Sequence, residues 1–179
     1  MRRIVYAVVA VLIGFGVSSK ETSAVELGLT PSDVVMLWAN TNNALVAVAH
    51  VAPGGGAALS KQVKALRPGY FENKKPGDVL GQVATFRGKL DQLRKRIGLP
   101  ATGTFKNGNG KITPSVVFLN TGFVLDSAAE VLLKISNNTV SAGPYYKPFV
   151  IKGKTPTHAF SMAELATRRI DLILDRTAR

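Results

Sequence analysis

Four prolines constrain what this chain can fold into more than any other feature. Pro31, Pro76, Pro114 and Pro156 each follow a Thr or Lys and open an apolar-periodic segment: "TPSDVVMLW", "KPGDVLGQV", "TPSVVFLNT" and "TPTHAFSMA". Proline is favoured at the first helical position, where its missing N–H would have no partner in any case and its fixed φ suits the helix. A preceding Thr can cap the free N–H groups of the first turn. Thr30, Thr113 and Thr155 fill that place, whereas Lys75 does not. Asp33 and Asp78 then lie in the first turn, where negative charge meets the positive end of the helix dipole.

The spacing after each proline repeats. From Pro76, steps of three and four select Val79, Val83, Phe86, Leu90, Leu93 and Ile97. The same offsets give Val34, Trp38, Thr41, Leu45, Val48 and Ala52 in the first segment. They give Val117, Thr121, Val124, Ala128, Val131 and Ile135 in the third, and Ala159, Ala163, Ala166, Ile170, Ile173 and Thr177 in the fourth. Of these 24 positions 21 are apolar, three are Thr and none is charged, so each segment keeps one face inward as a bundle seam requires. The other five prolines all fall between the segments. The pattern predicts an all-α fold, a four-helix antiparallel bundle with helices over about 31–51, 76–97, 114–137 and 156–177. The "TPS" and "VV" shared by the first and third segments suggest a duplicated pair.

The connectors are long for a bundle, in which two to eight residues is usual. Residues 52–75 predict a short helix over Leu59–Leu66 after Gly54-Gly55-Gly56. Residues 98–113 carry Asn-Gly twice, a tight-turn signal that predicts a small hairpin. Residues 138–154 predict an extended piece at Phe149–Lys152. Tyr70, Phe71, Phe105, Tyr145, Tyr146 and Phe149 sit in these connectors among lysines. Two readings compete for them: a contact surface, or anchors that order long loops by burying aromatic area.

The chain opens differently. Arg2 and Arg3 precede an uncharged run from Ile4 to Val17, followed by "SSKETSA" with small residues at Thr22 and Ala24. This is the pattern of a cleavable secretory signal over residues 1–24. Its 14-residue apolar run is short of the ~20 that span a bilayer; a retained anchor is the competing reading. No later stretch reads as long and apolar enough to cross a membrane. Residues 25–179 then form one helical domain, exported to the periplasm or secreted. With no cysteine, it relies on its core.

Residues 25–179 carry 20 basic and 10 acidic side chains, a net charge of +10. Such a surface favours an acidic envelope protein, an anionic polymer or an anionic lipid surface; nucleic acid is the least accessible polyanion after export. The second segment is the most basic, with Arg87, Lys89, Arg94, Lys95 and Arg96, so these, with Tyr145 and Tyr146, are the predicted partner-binding residues.

Catalytic machinery is sparse. No cysteine excludes thiol catalysis and cysteine-built zinc sites, and there are two histidines, His50 and His158. No phosphate loop or G-x-S-x-G elbow is present, and no cofactor or metal is expected. The leading expectation is an exported, non-enzymatic interaction or scaffold module that docks an acidic partner through a basic face. An alternative is a small-ligand-binding bundle with a pocket near Trp38, Tyr70 and His158. A second is a hydrolase using His158, which stands in the first turn where Asp33 and Asp78 stand in theirs.

Overall fold

A computed structural model describes residues 25–177 except 108–109; the expected secretory signal lies outside them. The described residues are all helical or irregular, with no strand. Five α-helices follow in order: α1 (Pro31–Val51), α2 (Ala57–Ala65), α3 (Pro76–Arg96), α4 (Pro114–Ile135) and α5 (Pro156–Thr177). A single 3₁₀ turn occupies Gly143–Tyr146. The four proline-led helices start where the spacing places them, and the short helix expected in the first connector is α2. The predicted hairpin does not form a strand pair in the described part of residues 98–113, which is held by side-chain bonds instead.

The antiparallel arrangement is not what forms. Pro31, Pro76, Pro114 and Pro156 meet around one shared cavity, together with Val34, Val79, Val117 and Ala159. All four long helices therefore start at the same end and run parallel. Cross-helix bonds agree along the whole length. Trp38 packs edge-on against Phe86 with ring centroids 5.4 Å apart. Gln82 donates to Thr167, Lys89 pairs with Asp171, and Arg96 reaches the last turn of α5. The order around the bundle is α1, α5, α3, α4, each packing on its two neighbours.

Because the helices run parallel in equal register, positions at equal offset from the prolines form layers. Of the 24 seam positions 21 are buried, and Ile97, Ile135 and Thr177, at the far ends, are half-buried. The axis is plugged at the proline end: the cavity there is about 10 Å³ and lined only by apolar residues, at the lower limit for one water.

The residue after each proline closes this end as a ring. Ser32 of α1 accepts from the Lys154 N–H, just before α5 (3.1 Å). Thr157 of α5 accepts from the Lys74 N–H, just before α3 (3.1 Å). Ser115 of α4 accepts from the Leu27 N–H, leading into α1 (2.9 Å). The fourth place is Gly77, which has no side chain to offer.

Parallel helices explain the long connectors, each of which must return the chain along a bundle ~32 Å long. Residues 52–75 return beside α1 and α5: Leu59 and Val63 are buried, and Ser60 donates to the Val46 carbonyl. Residues 97–113 return along α3 and α4, where Asn120 exchanges two bonds with the Phe105 backbone. Residues 136–155 return beside α1, with Asn40 donating to the Lys147 carbonyl.

The apolar character of the first and third proline-led segments is greater than the sequence reading allowed. By length and composition α1 and α4 are each apolar enough to cross a membrane, with mean hydropathies of 1.2 and 1.6 over their best windows. More than half of each window is buried inside the bundle, as core helices require.

Candidate functional surface

The predicted basic face of α3 is largely committed to the fold. Arg94 is 2% exposed. Its Nε donates to the Pro100 carbonyl (2.6 Å), one terminal nitrogen donates to the Ser127 carbonyl (3.0 Å), and the other pairs with Glu130 (2.7 Å). It pins the second connector to α4 and cannot meet a partner. Lys89 pairs with Asp171 of α5. Arg96 donates to the Leu174 carbonyl and the Thr177 hydroxyl (2.8 and 2.9 Å), closing the last turn of α5. Lys95 is exposed, and Arg87 is half-buried beside Thr104, Phe105 and Ile112. A run of cations on one helix is therefore not a free basic face here, because neighbouring carbonyls and carboxylates take three of the five.

Arg169, not anticipated from the sequence, does the same work for the first connector. It is 7% exposed and donates to the carbonyls of Asn42 (3.0 Å) and Leu66 (3.3 Å). Burial, then the charges of Arg67 and Arg168, push its pKa down. Arg168 adds a bond to the Arg67 carbonyl while holding Glu164.

The free positive charge lies on the connectors. Residues 52–75 hold Lys61, Lys64, Arg67, Lys74 and Lys75 against Glu72 alone; residues 97–113 hold Lys106 and Lys111; residues 136–155 hold Lys147, Lys152 and Lys154. Ten cations face one carboxylate, so the connectors carry nine of the ten net charges of residues 25–179. Among the described residues no carboxylate pairs with any of these ten. Lys74 instead lies over the Phe160 ring, 4.7 Å from its centroid. The signal was available in the sequence: counted by connector, the charges separate at once.

The aromatics divide between the two readings made for them. Phe71 packs edge-on against Phe160 (4.9 Å), Phe105 is half-buried, and Tyr145 packs on the core. Burial raises the Tyr145 pKa. Tyr146 is 47% exposed, and burial, then the carboxylates of Asp126 and Glu130, push its phenol up. Tyr70 is 86% exposed, its hydroxyl tied to Glu72.

The side chains of the two alternative readings are brought together only in part. Trp38 is fully buried in the bundle, its indole N–H has no partner, and it lines none of the described cavities. Tyr70 and His158 do meet, in a cleft of about 630 Å³ between residues 68–73 and the start of α5, lined also by Val35, Phe71 and Met162 but not by Trp38. His158 is exposed, and its Nδ1 accepts from the Thr155 N–H (3.2 Å) and lies 2.9 Å from its hydroxyl. That is the place of Asp33, whose carboxylate takes the Thr30 N–H and hydroxyl, and of Asp78 on the Lys75 N–H, all at 2.7 Å. His158 is thus a first-turn cap. No carboxylate bonds to it among the described residues. Nor does any group of three or more His, Asp or Glu converge there.

No protein-family model, curated protein or solved structure matches this chain.

Proposed function

We propose that the protein is an exported, non-enzymatic docking module of the cell envelope that binds an anionic partner through its three connectors. The observation that carries the reading is the segregation of charge. The long helices are nearly neutral taken together, with nine cations and eight carboxylates, whereas the connectors hold ten cations and one carboxylate. Charge placed for solubility alone has no reason to avoid the helices. Unpaired lysines on the outside of a folded body attract polyanions and speed their encounter. The parallel bundle supplies a rigid support, since each connector is fastened to the helices it crosses.

Immobilised heparin serves as the test polyanion. Reversing Lys61, Lys64, Lys106 and Lys147 to Glu should lower the salt concentration needed for elution, while the circular dichroism spectrum stays helical. Lys95→Glu on α3 should change elution little. Equal effects from the two changes, or no retention of the wild-type chain, would sink the connector reading.

A further inference from the structure

The connectors do not distribute their exposed groups evenly along the bundle. Six large apolar side chains are exposed among the described residues, and four of them, Leu27, Tyr70, Phe149 and Val150, lie at the proline end. Leu27 is tied to the first turn of α4 through Ser115. Tyr70 lines the cleft with Thr155 and His158. Phe149 and Val150 lie beside Ser32, Asp33 and Met36 of α1 and are 44% and 84% exposed. The other two, Phe123 and Tyr146, sit midway along the bundle.

The same end carries five lysines against four carboxylates. Lys74, Lys75, Lys111, Lys152 and Lys154 lie within the four residues before the proline-led helices. The carboxylates there, Glu26, Asp33, Glu72 and Asp78, all take internal hydrogen bonds. Four parallel helices add about half a positive charge each at their N-termini, which an antiparallel bundle would cancel. Chain entry is a third, independent observation. Residue 25, whose carbonyl accepts from the Thr113 hydroxyl, enters the bundle at this end, eight positions after the apolar run Ile4–Val17 ends.

We propose that the proline end docks on an anionic lipid bilayer, with Phe149 and Val150 entering the headgroup region between Lys147 and Lys152. This rests on the anionic-partner reading above and names the partner. Exposed apolar side chains flanked by lysines suit that interface: the apolar groups leave water and the ammonium groups stay at the phosphates. An acidic soluble protein would explain the lysines but not the concentration of exposed apolar groups at the proline end.

The chain has no cysteine, so Val150→Cys in the full-length protein carries one environment-sensitive fluorophore such as NBD. Lys134→Cys, near the far end of α4, is the reference. With vesicles containing phosphatidylglycerol, the label at 150 should shift to the blue and brighten at least twofold, and the label at 134 should not. Pure phosphatidylcholine vesicles should leave both unchanged. Lys152→Glu should weaken the response about fivefold or more, the factor expected for one lysine near an anionic surface. No response at 150, an equal response at both positions, or an equal response to neutral and anionic vesicles overturns the proposal. If heparin still retains the protein in any of those cases, the docking reading survives and only the bilayer is wrong; loss of both removes both.

Discussion

Truncating Arg94 tests how far buried cations build this fold rather than serve its surface. In Arg94→Ala the Pro100 carbonyl loses its donor and the Ser127 carbonyl loses a second one. Hydrogen bonds from a charged donor contribute about 1.5–3 kcal/mol each, and the emptied space around the lost stem adds to the cost. Against this, the chain no longer desolvates a guanidinium, a relief of several kcal/mol in unfavourable cases. The Glu130 partner is 57% exposed and returns to water without penalty, so its ion pair contributes about 1 kcal/mol at most. The net expectation is a loss of about 2–4 kcal/mol, read as a lower urea midpoint with an unchanged slope. For a domain of this size that is roughly a 5–15 °C fall in Tm. Glu130→Gln should cost no more than about 1 kcal/mol, and Lys95→Ala should stay within about 0.5 kcal/mol. If Arg94→Ala matched Lys95→Ala, the carbonyl bonds would contribute nothing net. If Glu130→Gln matched Arg94→Ala, the ion pair and not the connector anchor would be the source.

The parallel arrangement can be checked by charge exchange: Lys89→Asp alone should destabilise, and adding Asp171→Lys should recover about 0.5–1 kcal/mol in a double-mutant cycle. Antiparallel helices would separate these positions by about 10 Å along the axis and give no coupling. Gly77→Ser should complete the hydroxyl ring; nothing lies within 4 Å of the added Cβ, and a gain of about 0.5–1 kcal/mol is expected in urea titration. The Thr30 N–H and hydroxyl hold the Asp33 carboxyl below its ordinary value. Its contribution is therefore complete above the ordinary carboxylate pKa and is lost as pH falls through the depressed one. Asp33→Asn should cost about 1 kcal/mol at pH 7, with the gap from wild type closing in strong acid; a gap independent of pH would refute the cap.

Much of the helical framework was legible because it is local. A proline at N1, in two helices an acid two residues on, and a seam of threes and fours each act within a few turns, and they locate the four long helices to within two residues. In the described part of residues 98–113 the expected hairpin forms no strand pair: Asn-Gly permits a tight turn without supplying two strands, and Asn120 occupies the Phe105 backbone that a partner strand would have needed. The α3 cations misled because composition counts charge without its neighbours. Lys89, Arg94 and Arg96 find partners on α5, α4 and the second connector, 33 to 82 residues away in all but one case.

Sequence alone determined which residues are helical and which face of each helix is apolar, since backbone propensity, capping and burial pattern all act along the chain. Helix direction was left to tertiary structure, because steps of three and four read the same forwards and backwards. Connector length was the clue to parallel packing: 24, 17 and 20 residues are far more than antiparallel neighbours require. Tertiary structure then decided where free charge remains. A cation's availability depends on which carbonyls and carboxylates the packed helices bring to it, and those partners are set by the fold and not by sequence distance.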